Sequence, residues 1–286
     1  MINPSKDKSF SPMELTDQEY MLISRLVYEK SGIKLGDQKR SLIVGRLQKI
    51  LRQQDFTSFK DYYEWVMKDT TGNALLTLID RISTNHTFFY RESDHFEYFT
   101  SDVLPSIVKR LSEQRRNGIR IWCPGCSTGE EPYTLAMLIN QYLGWNMDHW
   151  DIGILATDIA ESALKAAVQG AYTAENVKNL PGMLAWSHLK INPDGSYTVK
   201  ENIRKLVTFR RLNLMRKTYP FKGRFQVIFC RNVMIYFDAE TRQELVRKLY
   251  HCTEPGGFLF IGHAESLGRA NDMYEYVKPA IYSRIS

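Results

Sequence analysis

From Thr16 to Asp69 the apolar residues recur at helical spacing. Thr16 and Glu19 stand three apart, the spacing of a capping box, ahead of Tyr20, Met21, Ile23, Leu26 and Val27. Gly32 ends that helix. The same periodicity predicts helices over 37–53, 58–67 and 73–83, with Phe59, Tyr62, Tyr63 and Trp65 as apolar positions of the third. No strand alternation interrupts them, so residues 1–83 read as a small all-α domain. Residues 84–118 read as a loop followed by a helix over 96–116. Then the pattern changes. Short apolar runs at 119–123, 152–157, 225–230 and 257–262 predict strands, separated by helical patterns at 132–143, 160–168 and 239–252. Such alternation implies an α/β domain with a mostly parallel sheet, spanning 119–286. Between Tyr172 and Asn213 the alternation breaks. Asp194-Gly195, flanked by Leu189–Ile191 and Tyr197–Val199, is a hairpin signal. It predicts a small antiparallel β-subdomain inserted at about 173–210.

Composition narrows the class. The chain has 286 residues, 43% apolar and 24% charged, as in a soluble globular protein of one or two domains. No run approaches the roughly 18 apolar residues of a membrane span. Lys6 and Lys8 are followed by no apolar run, so no secretory signal is expected. Met1–Phe10 are polar and expected to be frayed. Four cysteines, Cys123, Cys126, Cys230 and Cys252, do not make a disulfide framework at this length. A reducing, cytoplasmic location is the expectation.

The candidate chemistry gathers at strand ends. The first α/β strand runs into Cys123-Pro-Gly-Cys-Ser-Thr-Gly-Glu-Glu-Pro-Tyr133. Gly125 and Gly129 suit a loop that lets a ligand approach the backbone. No Gly-Lys-Ser/Thr follows, so this is not a phosphate loop. Glu130 and Glu131 at a helix start disfavour a pyrophosphate and favour a cationic ligand. Asp158 ends the next strand. It can take two ribose hydroxyls or cap the following helix. Arg231, Asn232 and Tyr236 follow the strand at 225–230, where an arginine could grip a carboxylate through two hydrogen bonds. Alternatively, Asn232 is a turn residue and Tyr236 a core residue. Thr84-Asn-His-Thr-Phe-Phe-Tyr-Arg91 resembles a lid or strap. Cys123-Pro-Gly-Cys126 could be redox-active or half a zinc site. No second such pair exists and the six histidines show no ligand spacing, so no metal is expected.

Together these strings resemble the chemotaxis receptor methyltransferases. The resemblance rests on Asn85–Arg91, Gly125–Tyr133, Thr157-Asp-Ile159, Phe229–Asp238 and Gly256-Gly…Gly262-His, in matching order from about Leu22 to Tyr282. It implies an all-α N-terminal receptor-recognition domain before a Rossmann-like methyltransferase domain with a β-subdomain, and S-adenosylmethionine as cofactor. It places cofactor contacts at Asn85, Thr87, Arg91, Glu131, Asp158, Asn213, Leu214, Arg231 and Asn232. Glu131 would take the methionine amino group, Asp158 the ribose, and Asn213 and Leu214 the adenine border. Arg91 and Tyr236 would lie near the transferred methyl. The implied substrate is a glutamate on the cytoplasmic helices of a chemoreceptor, and the implied product a methyl ester.

A glutamate is ionised at neutral pH, so no general base is needed. The enzyme must align the reacting atoms and exclude water.

The helix at 37–53 carries Ile43, Leu47 and Ile50 on one stripe. Lys39, Arg46, Lys49 and Arg52 lie mainly on the other side. Arg46, Lys49 and Arg52 are therefore candidates for docking acidic receptor helices. The net charge of +6 shows no dense basic cluster interleaved with aromatics, so nucleic acid is not an expected partner. A monomer is expected, recruited to receptor arrays without membrane insertion. Some family members carry Gly-x-Gly in the β-subdomain loop and tether a receptor peptide there. Lys190–Gly195 lacks that motif. The competing function is a non-catalytic module that senses S-adenosylmethionine or a nucleotide.

Overall fold

The computed structural model describes residues 13–268 and 272–285, so the fraying expected for Met1–Phe10 lies outside the described residues. The chain forms two units, Met1–Ile82 and Ser83–Ser286.

In the first unit, α1 (Asp17–Ser31) opens with the expected capping box. The Glu19 N–H donates to Thr16 Oγ1 at 3.3 Å and the Thr16 N–H donates to the Glu19 carboxylate at 2.9 Å. Gly32, at φ 72°, closes the helix in the left-handed conformation. α2 (Arg40–Gln53) starts later than its apolar stripe predicts, because 37–39 form a separate 3₁₀ turn. α3 (Phe59–Lys68) is capped by Ser58, and α4 (Asn73–Ile82) completes the unit. Ile23, Val27, Ile43, Leu47, Phe59 and Tyr62 are fully buried and share one core. Each such aliphatic side chain contributes about 1.5–3 kcal/mol on burial.

The second unit begins with α5 (Ser93–Tyr98), a π turn at Phe99–Val103 and α6 (Leu104–Glu113). The single helix expected at 96–116 thus runs three residues earlier, over 93–113, with a π turn inside it. Next come β1 (Gly118–Pro124), α7 (Glu130–Leu143), β2 (Asp151–Asp158) and α8 (Glu161–Gln169). A small module contains β3 (Ala171–Tyr172), α9 (Ala174–Val177), α10 (Gly182–His188), β4 (Leu189–Ile191), β5 (Tyr197–Val199) and α11 (Glu201–Arg204). The chain then continues through β6 (Val207–Arg211), β7 (Phe225–Cys230), α12 (Ala239–Cys252), β8 (Thr253–Ile261), β9 (Tyr274–Lys278) and β10 (Ile281–Arg284).

The main sheet has the order β6-β2-β1-β7-β8-β10-β9. Its first five strands are parallel, and β10 runs antiparallel to both β8 and β9. β7 is buried at every residue, as a central parallel strand should be. The hairpin at Asp194-Gly195 forms as expected, in an antiparallel sheet of order β3-β5-β4. The insertion is shorter than expected, because Val207–Arg211 belongs to the main sheet beside β2. That strand sits on the sheet edge with only Val207 buried, which left it without a readable apolar alternation.

Candidate active site

β1 lies between β2 and β7, where the strand order reverses. Ligands of open α/β sheets bind in the crevice at such a point, beyond the carboxyl ends of the strands. The loop after β1 is held there by its neighbour: the Gly125 and Cys126 N–H groups both donate to the Thr157 carbonyl, at 2.7 and 3.0 Å. Gly125 has φ 75°, and a Cβ on it would sit 2.3 Å from Val233 Cγ2. Packing against the loop after β7 therefore demands glycine here, in addition to any ligand. The Ser127 N–H donates to Asp158 Oδ2 at 2.8 Å and the Ala160 N–H to Asp158 Oδ1 at 2.9 Å. The capping reading of Asp158 is not realised: α8 has Ala160 at its N-cap with no side-chain cap bond, and Asp158 instead closes a short turn onto the Ala160 N–H.

The segment from Asn85 to Arg91 is strapped onto this end of the sheet. Ser127 Oγ donates to the Asn85 carbonyl at 2.9 Å, and the Phe89 N–H donates to the Asn176 carbonyl at 3.0 Å. The Phe89 ring meets Tyr172 edge-on at 4.8 Å. Tyr90 and Glu92 hold positive φ values of 63° and 56°, a costly conformation for such residues.

One cleft is lined by Thr87, Arg91, Glu131, Arg231, Asn232 and Tyr236. Asn85, Asp158, Asn213 and Leu214 do not line it. Asp158 stands behind the Ser127 loop. Asn213 and Leu214 follow β6, and the Leu212 N–H donates to the Asp158 carbonyl at 3.0 Å. Asp158, Asn213 and Leu214 therefore stand along the same row of strand ends, and Asn85 belongs to the strap held against Ser127. The two acids at the start of α7 part company. Glu131 faces the cleft, whereas buried Glu130 accepts from Thr128 Oγ1 at 2.7 Å and Asn176 Nδ2 at 3.3 Å.

Arg231 does not present a free fork. Its Nη1 donates to Glu131 Oε2 at 3.1 Å, and its Nη2 to Glu92 Oε2 at 3.1 Å and to the Arg91 carbonyl. Burial pushes the Glu131 carboxyl up to about 7, against the opposing pull of Arg231. Burial also acts to raise Glu92, but Arg231 and Asn232 outweigh it and hold that carboxyl below its usual range. Asn232, at φ 57°, donates through Nδ2 to Glu92 Oε1 at 3.1 Å. Its N–H donates to buried Glu265 at 2.9 Å, which also accepts the N–H of Gly262 at 2.6 Å and of Ile235 at 3.1 Å. Glu92 and Glu265 were not singled out from the sequence. Their signal was available: each is an acid in a short loop whose neighbours, Arg91 and Gly262-His263, already carried the resemblance.

Cys123, Cys126 and Cys230 are free and buried, and burial pushes their thiols well above the ordinary value. Such thiols are inert as nucleophiles. The histidines show no ligand spacing in sequence, yet Glu92, His95 and His263 bring donor atoms within 4.8 Å of one another. Both Glu92 oxygens already accept N–H bonds there, and a guanidinium shares one of them. In the helical unit, Lys49 and Arg52 are exposed, but Arg46 is half-buried and donates to the Ile82 carbonyl at 2.6 Å. The helical pattern had placed all three on the solvent side; Arg46 instead satisfies the open end of α4.

Two family models match in tandem: "CheR methyltransferase, all-alpha domain" over residues 18–83 and "CheR methyltransferase, SAM binding domain" over 85–282. A chemotaxis protein methyltransferase of Borreliella burgdorferi is 40% identical over 283 residues, 99% of this chain and 100% of the relative. Chemotaxis protein methyltransferase 2 of Vibrio cholerae is 34% identical, covering 91% of this chain and 89% of its own length. The chemotaxis protein methyltransferase of Escherichia coli is 34% identical over 95% of this chain and 92% of its own. With both domains matched in order and the switch-point crevice in place, the chain belongs to the CheR methyltransferase family, whose larger domain binds S-adenosylmethionine.

Proposed function

We propose that this protein methylates glutamate side chains on the cytoplasmic helices of chemoreceptors. The observation that supports it best is the grouping in one cleft of a carboxylate, Glu131, and a guanidinium, Arg231, beside Arg91 and Tyr236. An amino-acid end carries an ammonium and a carboxylate, and Glu131 and Arg231 offer one partner of each sign. Asp158, held by two backbone N–H donors, is the carboxylate we assign to paired ribose hydroxyls. Asn213 and Leu214 lie further along the strand ends, at the adenine border. Asn85 and Thr87 belong to the strap that covers this row. Bound here, S-adenosylmethionine supplies an electrophilic methyl on a sulfonium centre.

Arg91 and Tyr236 orient the incoming carboxylate. They must hold it without over-stabilising it before reaction, so hydrogen bonds of ordinary strength serve better than a buried ion pair. No residue need remove a proton, since the carboxylate arrives ionised. Transfer forms an oxygen–methyl bond and breaks the methyl–sulfur bond, leaving a neutral ester and S-adenosylhomocysteine. The exposed Lys49 and Arg52 steer acidic receptor helices. The test is incubation with methyl-labelled S-adenosylmethionine and receptor-bearing membranes. Base-labile label released as methanol supports the reading; base-stable label or none refutes it.

A further inference from the structure

Arg231 and Glu131 are opposite charges in contact, 3.1 Å apart. Left to themselves they would satisfy each other, and a zwitterionic ligand would have to break that pair. Glu92 contacts the same cation. It is mostly buried, with a side-chain exposure of 14%, and its Oε2 lies 3.1 Å from the other guanidinium nitrogen of Arg231. Its Oε1 accepts from Asn232 Nδ2, and its Oε2 also accepts the His263 N–H at 3.3 Å. One cation is thereby shared between two carboxylates, and when both are ionised the trio carries one excess negative charge. His95 adds no compensating charge: it is fully buried, its Nδ1 lies 3.5 Å from Glu92, and burial lowers its pKa to about 4.

We propose that Glu92 is a positioning residue that draws Arg231 off complete pairing with Glu131, keeping both open for the ammonium and carboxylate of the cofactor's amino-acid end. This rests on the assignment of that end to Glu131 and Arg231. The shared cation leaves Glu131 under-neutralised, so an arriving ammonium gains more from it. A cofactor carboxylate reaching Arg231 finds the guanidinium held in place from behind, with Asn232 fixed by the same anchor. The charged and titratable groups facing Glu131 are Arg91 and Glu92 from the strap, Arg231 and Cys230 from β7 and its loop, and Cys123 and Cys126 from β1 and its loop. The thiols stay neutral, so Glu92 is the one anion in this set that repels Glu131.

The test is the pH dependence of S-adenosylhomocysteine affinity, measured by calorimetry between about pH 5 and 8, with melting temperature as a check on folding. Wild type should lose affinity below about pH 7 as Glu131 takes up a proton. Glu92→Gln removes the repelling charge, so the acid limb should move down by roughly one pH unit, with weaker plateau binding. Glu92→Asp keeps the charge and should keep the limb, even where the shorter side chain weakens binding. Glu265→Gln is the control for loop placement alone: it should lower affinity at every pH without moving the limb. A limb that stays put in Glu92→Gln, or moves equally in Glu92→Asp, overturns the inference. Should Glu92→Gln not fold, a moved limb in Glu92→Asp alone overturns it and an unmoved limb supports it. A wild-type protein that binds no S-adenosylhomocysteine at any pH refutes the site assignment itself, a result distinct from these.

Discussion

Replacing Gly125 by alanine should cost more than any ordinary glycine-to-alanine change, for two separable reasons. The residue has φ 75°, in the left-handed region, where a Cβ costs roughly 1–2 kcal/mol. That Cβ would also lie 2.3 Å from Val233 Cγ2, and forced contacts in a packed site cost about 1–3 kcal/mol. The sum, about 2–5 kcal/mol, is a large part of a typical domain's stability of roughly 5–15 kcal/mol. The two contributions respond differently to a second change. Val233→Ala alone should destabilise, by about 1–2 kcal/mol for lost packing. In the Gly125→Ala background the same change makes room for the new methyl and should stabilise. The assay is urea unfolding of all four proteins, followed by tryptophan fluorescence. Trp122 is fully buried on β1 and bonded to Thr157 Oγ1 at 2.9 Å, next to the carbonyl that holds the loop. Costs that simply add, with no coupling between 125 and 233, would refute the packing argument. Ligand binding should follow, because the same loop donates the Ser127 N–H to Asp158.

Asp158→Ala should lose its ribose partners, each worth about 1.5–3 kcal/mol, and the Ser127 and Ala160 N–H bonds with them; calorimetry with S-adenosylhomocysteine should show the loss, and unchanged affinity would place the ribose elsewhere. Glu131 has a folded-state pKa above its unfolded value of 4.5, so its contribution to stability is present below that value and fades as pH rises through about 7. Glu131→Gln should flatten that part of the stability–pH curve; an identical curve would show that Glu131 is not the group titrating. Arg46→Glu should lower the melting temperature by uncapping α4, while the Lys49→Glu and Arg52→Glu pair should leave it alone and instead raise the apparent Michaelis constant for receptor, most at low salt. Native protein should alkylate first at half-buried Cys252, with Cys123, Cys126 and Cys230 reacting after unfolding; early modification of Cys126 would contradict its burial.

Local chemistry made much of this molecule readable in advance. Thr16 and Glu19 cap α1 because a capping box needs only residues three apart. Asp194-Gly195 turns the chain because the turn's backbone angles are local. The glycines of the loop after β1, the acids at strand ends and the Arg231-Asn232 pair could be located in advance because a parallel sheet opens its crevice at strand ends, which sequence order already marks. Long-range partners were not visible. Nothing near Glu92 shows that it will meet Arg231, 139 residues away, or that Glu265 will gather three N–H groups from the ends of β7 and β8. Arg46 looked like a surface cation because a helical wheel shows only its own helix, and the α4 carbonyl it caps comes from 36 residues further on. Edge strand β6 escaped notice because only its pairing with β2 makes it a strand. The division between Glu130 and Glu131 is likewise tertiary: adjacent residues on a helix point about 100° apart, and only the surrounding fold decides which direction opens on the cleft.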